Sequence, residues 1–417
     1  MKIRTLESPG ICARAFLLLK ICYYRYMIIL SIETSCDETA LSILKAEGGL
    51  ESPSFEVLGN ILLSQAKLHE QYGGVFPMLA KREHAKNLIP LFKKLLTETG
   101  FSNTEQISKE DLKAKSQKLE AILEREPEML KDFLREIMKL NKPPIDIIAV
   151  TQGPGLEPAL WVGISFAQAL GVLWDIPVMP VNHMEGHIAS VLLPQQNQSE
   201  ITKKVEFPAL ALLISGGHTE LISIKQWGEY SKIGETRDDA VGEAFDKVAR
   251  ILGLPYPGGP EISRLAEKAR KEKPIASKTY VLPRPMIHSK DLSFSFSGLK
   301  TAVLYMVEKI PTLTEAIKEE IAREFEDAVR DVLISKTKEA LIETGAQTFI
   351  VAGGVSANKM LRSAFEDLGK ELSINTLIPD FSLSTDNALM IAVAGFIKKS
   401  LKTEFSQEFK ASGNLSL

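Results

Sequence analysis

From Met27 onward the chain alternates short apolar runs with polar, glycine-bearing turns. MIILSIE (27–33) is a continuous apolar run that predicts a buried strand, TSCDET (34–39) a polar turn, and TALSILKAE (39–47) an antiparallel partner. A third strand is predicted near VLGNILLSQ (57–65), followed by a helix over AKREHAKNLIPLFKKLLTETG (80–100) that Gly100 can close. The same grammar returns later. PALALLISGG (208–217) reads as a strand ending in a Gly-Gly turn, HTELISIKQ (218–226) as its hairpin partner, YSKIGETR (230–237) as a third strand and DAVGEAFDKVARILG (239–253) as a helix.

Two strand-hairpin-helix modules in one chain predict a duplicated α/β fold, with the first turn of each module facing a shared cleft. IDIIAVTQGPGL (145–156) adds a buried strand running into a Gly-Pro-Gly turn and a helix near Pro158. TFIVAGGVSANKMLRSAFEDLG (348–369) repeats strand, Gly-rich turn and helix. Such turns expose backbone N–H groups and helix N-termini, a common answer to phosphate or nucleotide, although no Walker GxxxxGK[ST] occurs. The expected division is an extension over 1–26, an N-terminal α/β domain over 27–180 with a charged helical insertion at about 101–144, a C-terminal α/β domain over 181–400, and a tail over 401–417. The insertion reads as a solvated helical segment because its charges are mixed and balanced.

Composition narrows the function. Fifty Lys+Arg against fifty-three Asp+Glu give a net charge of −3, so no global basic field advertises a polyanion partner. Any nucleic-acid contact must be local or shared, and the most basic local stretch is 264–290, with Arg264, Lys268, Arg270, Lys271, Lys273, Lys278, Arg284 and Lys290. The three cysteines, Cys12, Cys22 and Cys36, all lie near the start, which fits a reducing, cytoplasmic compartment. The apolar stretch 11–26 is broken by Lys20 and Arg25, and no run reaches the roughly 20 residues of a membrane span.

The sharpest candidate for chemistry is VNHMEGHIAS, where His183 and His187 stand four apart and share one face of a helix. That spacing suits two imidazoles on one metal, and equally two structural histidines. It is not the HExxH pattern, because Met184 occupies the place of the general base and Glu185 falls toward the opposite face. A third ligand is proposed at Asp386 in FSLSTDNALMIAVAGF, where Ser384, Thr385 or Asp386 could instead simply cap an apolar helix. Further polar clusters lie in IETSCDET, LISGGHTE, GEAFDKVARILGLPYPGGP and GGVSAN. There Gly216 and Gly217 allow close approach to the backbone, and Asp246 and Asn358 can bond a ribose or base edge. Taken together they favour a nucleotide-sized ligand in the cleft.

The strings IETSCDET, HEQYGGVFPMLAKREH, QGPGLEPALWVG, NHMEGH, LLISGGHTEL, DDAVGEAFDKVARILGLPYPGGP, LPRP, FSFSGLKTAV, VAGGVSAN and STDNA stand in order between Met27 and about Lys399. In this the chain resembles the tRNA adenosine threonylcarbamoyltransferases, called TsaD in bacteria. The resemblance implies the actin-like, hexokinase-like ATPase fold of two duplicated α/β domains. It also implies a reaction: transfer of threonylcarbamoyl from threonylcarbamoyl-AMP to N6 of the adenosine beside the anticodon in tRNAs reading ANN codons, with release of AMP. By motif matching, His183, His187 and Asp386 would hold an iron-type divalent metal, Fe(2+). Leu213, Ile214, Ser215, Gly216 and Gly217, with Asp246, Gly259 and Asn358, would bind the adenylate. The resemblance further implies a TsaB-like paralogue and a TsaE-like ATPase as partners.

Asp37 and Glu38, on the first cleft-facing turn, are the candidates for accepting a proton from the N6 amine; polar turn residues would look the same. The chain departs from the family at Met78, where a Glu is common, and in the length of 101–144. A metalloprotease is the rival enzyme reading, suggested by the paired histidines, and a non-catalytic scaffold the reading from outside enzymology.

Overall fold

The structure is a computed structural model that describes residues 26–102, 109–194, 204–272 and 279–417. The extension 1–26, apart from Tyr26, lies outside the described residues, and so do Cys12, Cys22, Lys273 and Lys278.

The first sheet is built from β1 (Met27–Glu33), β2 (Glu38–Glu47), β3 (Ser54–Ser64), β4 (Ile147–Gly153) and β5 (Val178–Asn182). Its order is β3-β2-β1-β4-β5, with the β1–β2 and β2–β3 pairs antiparallel and the β1–β4 and β4–β5 pairs parallel. Between β3 and β4 run helices α1 (Pro77–Glu98) and α2 (Lys109–Ile122), and between β4 and β5 runs α3 (Glu157–Trp174). Helix α4 (His183–Ala189) follows β5 directly.

The second sheet repeats the plan with β6 (Ala209–Ile214), β7 (Thr219–Gln226), β8 (Glu229–Glu235), β9 (Thr348–Ala352) and β10 (Asn375–Leu377), in the order β10-β9-β6-β7-β8. Again the first strand pairs antiparallel with the second and parallel with the fourth. Helices α5 (Val241–Ile251), α6 (Gly258–Glu272), α7 (Ser297–Glu308), α8 (Glu315–Thr344), α9 (Lys359–Leu372) and α10 (Ala388–Ser400) complete the chain. The identical strand order confirms the duplicated α/β fold expected from the two modules.

β1 and β6 read as unbroken apolar runs because each is central and covered on both faces. One core lies outside the first sheet and another outside the second. A third fills the space between the sheets, where Ile29, Leu213 and Ile350 meet Met390 and Val393 of α10. Helix α10 returns to the first sheet, and Ser31 Oγ on β1 donates to the Ala388 carbonyl at 2.7 Å. The last helix of the chain thus stitches the first module to the second.

Within the stretch 101–144, the described part from Lys115 onward is not a solvated insertion. Leu119, Leu123, Met129, Phe133 and Ile137 are buried in the outer core of the first module, and Phe133 meets Phe166 of α3 edge-on at 6.1 Å. Lys115 ties α2 to the end of α3 through the Leu173 carbonyl and Asp175. Mixed charge concealed the apolar positions that face the core from Leu119 to Ile137.

Candidate metal centre and cleft

The metal candidates come from chain ends that the fold brings together. Asn182, the last residue of β5, caps α4 by accepting from the Met184 N–H at 2.8 Å, and this sets His183 and His187 on the first turns of the helix. The rings stand 4.7 Å apart and nearly perpendicular. From the far end of the sequence, Asp386 Oδ1 reaches within 3.4 Å of His183 Nε2 and 3.1 Å of His187 Nε2. Sequence reasoning left open whether Asp386 was a plain cap. It is not: Asn387 caps α10, accepting from the Met390 N–H at 3.0 Å, so the carboxylate of Asp386 is left to face the imidazoles.

The donor set fits a divalent cation. His187 is 1% exposed, yet neither of its ring nitrogens makes a hydrogen bond, and Nε2 faces the other two groups. One ligand atom from each of His183, His187 and Asp386 lies within 4.8 Å of the others, so the three could hold a metal ion. Two imidazoles and one carboxylate on one side leave coordination positions open on the other.

Behind His183 stands a residue that sequence reasoning missed. Glu33, wholly buried at the end of β1, places Oε2 at 3.1 Å from His183 Nδ1 and accepts from Thr151 Oγ1 at 2.6 Å and from the Ser35 N–H at 2.5 Å. Burial alone would raise its carboxyl, but His183 prevails and holds it below the ordinary range. Burial likewise works against a charged His183, and Asp386 and Glu33 overcome it, lifting the imidazole well above its usual value. For Asp386, burial is again outweighed, chiefly by His183, and its carboxyl is held far down. The one linear signal for Glu33 was an acid closing an apolar strand. His218, in the turn after β6, is pushed down to about 4 by burial and by His183 and His187.

A cavity of about 790 Å³ opens between the modules. Asp37, Glu38, Gly216, Asp246, Gly259 and Asn358 all line it, as does Thr385 beside Asp386. Volume and placement suit a nucleotide-sized ligand. Burial, with the charges of Asp386 and Asp37 adding to it, pushes Glu38 up to about 9, which favours its protonated form. Burial and Asp37 also push the Cys36 thiol up, leaving it a poor nucleophile. Asp246 accepts from the Gly258 N–H at 2.7 Å, and Asn358 caps α9 while donating to Glu326 at 2.6 Å.

Other candidates fare differently. The side chains of Leu213 and Ile214 are buried in the two cores on opposite faces of β6, so only their backbone can meet a ligand. Ser215 Oγ accepts from the His218 N–H at 3.1 Å, a turn contact. Neither Ser215 nor Gly217 lines the cavity, though Gly216 between them does. The Ser215 carbonyl accepts from the Gly242 N–H at 3.2 Å, and a Cβ on Gly242 would stand 2.6 Å from that oxygen, so only glycine lets α5 start against the turn.

Three cations of the basic stretch 264–290 are turned toward acids rather than left unpaired. Lys268 pairs with Glu319 at 2.7 Å, Arg270 with Glu326 and Asp327 at 2.5 and 2.8 Å, and Arg284 with Asp331 at 3.0 Å, all acids of α8. Glu326, 1% exposed at the edge of the cavity, sits in a charged helix where nothing in the linear pattern marked it.

Two equivalent α/β modules enclosing a nucleotide-sized cavity, with a His-His-carboxylate cluster at its edge, define a two-domain protein of the actin-like, hexokinase-like class with a metal-capable cleft. The model of the TsaD family, tRNA N6-adenosine threonylcarbamoyltransferase, matches residues 56–109 and 120–393, and the chain belongs to that family. Proteins of that name from Neisseria meningitidis and from Paraburkholderia xenovorans (strain LB400) are similar to it. The first is 40% identical over 387 residues, covering 88% of this chain and 93% of the relative. The second is 43% identical over 374 residues, covering 89% and 92%. Neither the family nor these relatives lend support to the metalloprotease alternative. Among the described residues no helix is long and apolar enough to cross a membrane.

Proposed function

We propose that the chain is an acyltransferase that moves the threonylcarbamoyl group from threonylcarbamoyl-AMP to N6 of adenosine-37 in tRNAs reading ANN codons, forming N6-threonylcarbamoyladenosine and AMP. One observation carries the reading: the family match runs through both modules and includes every residue of the cleft described above from Ala66 to Thr385.

The donor is a mixed anhydride and already activated, so the protein's work is to place the amine, polarise the carbonyl and accept the proton. N6 attacks the carbamoyl carbon, the bond from that carbon to the phosphate oxygen breaks, and AMP departs with the electron pair. Asp37, at the cavity wall, takes the N6 proton; Glu38, protonated beside it, donates a hydrogen bond to a developing oxyanion. The backbone at Gly216 and Gly259, with Asp246 and Asn358, holds the adenylate. His183, His187 and Asp386 would hold a divalent metal, Fe(2+) by the two-imidazole, one-carboxylate set with open positions, with Glu33 fixing the His183 tautomer. Such an ion supplies Lewis acidity toward donor oxygens.

The surface charge supports shared binding of tRNA, with a TsaB-like paralogue and a TsaE-like ATPase completing the complex in the cytoplasm. Metal-loaded protein given threonylcarbamoyl-AMP, these partners and unmodified tRNA should yield threonylcarbamoyladenosine by mass spectrometry of digested tRNA; no product with demonstrably loaded protein sinks the reading.

A further inference from the structure

The segment from Gln65 to Met78 leaves the first sheet and reaches the second module. Ala66 lines the cavity, and Gly73, in the left-handed region at φ 64°, turns its carbonyl to the Arg250 guanidinium on α5. Underneath, the segment is held by buried polar side chains. Gln65 Nε2 stands 3.3 Å from His84 Nδ1, which is itself 2.7 Å from Thr39 Oγ1, while His69 Nδ1 accepts from the Phe76 N–H at 3.2 Å. This anchoring leaves the top of the segment open. Tyr72 and Phe76 are 57% and 51% exposed, and their rings stack at 5.6 Å and 25°. Met78, the departure from the family pattern, is 57% exposed.

More than half of each of these two aromatic residues is exposed, so the crest offers ring surface to a partner. The flank is cationic: Lys67, Lys81, Arg82 and Lys86 stand against Glu70 and Glu83, and the Arg82 and Lys86 side chains are 72% and 73% exposed. On this flank Lys81 pairs with Glu126 at 2.9 Å, while Arg82 and Lys86 share the one carboxylate of Glu83 at 3.5 and 3.7 Å, so the exposed rings stand beside two exposed cations offset by a single acid.

We infer that Tyr72 and Phe76 form a stacking platform for unpaired nucleobases of the tRNA anticodon loop, with Arg82 and Lys86 meeting its phosphates. The occupant is RNA because the crest belongs to the same segment as Ala66, which lines the cavity where the N6 amine has to meet the bound donor, and because rings beside cations suit single-stranded nucleic acid. The inference rests on the transferase reading for its substrate.

The test uses the metal-loaded protein in its partner complex and an unmodified tRNA transcript. Replacing both rings (Y72A/F76A) should weaken tRNA binding and raise the tRNA KM by about 5- to 150-fold, the cost of losing one base stack. The adenylate KM and the melting temperature should stay unchanged. The ring-preserving pair Y72F/F76Y should behave as wild type, and Y72E alone should reproduce the loss. A tRNA affinity within about twofold of wild type for the alanine pair overturns the proposal, as does loss of a protein partner with tRNA binding intact. If wild type binds tRNA, the alanine pair does not, and neither yields product, the transfer reading fails while the platform stands. Normal product formation with an unmoved tRNA KM in the alanine pair refutes the platform alone.

Discussion

Glu33 Oε2 lies 3.1 Å from His183 Nδ1, so a carboxylate on the first strand of the chain sets the ring that faces Asp386 with its other nitrogen. With a metal bound, a proton kept on Nδ1 and donated to Glu33 would leave the Nε2 lone pair for the ion. This is how a second carboxylate orients a ligating imidazole.

Replacing Glu33 with Gln should therefore lower metal affinity by about 10- to 100-fold while the fold persists, because the amide no longer enforces that tautomer. Competition against a chelator with graded affinity measures it directly. An affinity equal to wild type removes Glu33 from the metal site.

The metal-free protein should show a stability window set by Asp386 and His183. The contribution of Asp386, whose carboxyl is depressed, exists above the ordinary carboxylate range and disappears as pH falls through the folded value. That of His183, whose imidazole is raised, is complete below the ordinary histidine value and disappears as pH rises through the folded one. Together they stabilise most between about pH 4 and 6.5. In urea titrations, Asp386→Asn should cost more at about pH 5.5 than at about pH 9.5, and a uniform cost contradicts the pairing.

Glu38 behaves oppositely. The unfolded chain releases its proton near 4.5 and the folded chain near 9, so stability is complete below the first value and declines as pH rises toward the second. The Glu38→Gln variant has no proton to give up, so its melting temperature should gain on wild type progressively between about pH 5 and 8. Its transfer activity should fall. Parallel melting curves across that range would show that Glu38 is ionised.

Phe133→Ala tests whether the segment between α1 and β4 belongs to the core. Loss of a fully buried phenyl ring should cost about 3–5 kcal/mol in denaturant unfolding, against roughly 0.5 or less for a solvated helix.

Local pattern determined much of this protein. Apolar runs marked β1 and β6, glycine-bearing turns marked the ends of strands facing the cleft, and HxxxH placed His183 and His187 on one helix face, because strand and helix periodicity act over a few residues. The ordered motifs made the family legible from sequence alone. Only the tertiary structure freed Asp386 by giving the cap to Asn387, put Glu33 behind a histidine 150 positions away, buried Phe133 beneath a charged exterior and paired Lys268, Arg270 and Arg284 with acids of α8. Each of these depends on which distant groups share a low-dielectric space, and burial and pairing belong to the path of the chain rather than to any window along it.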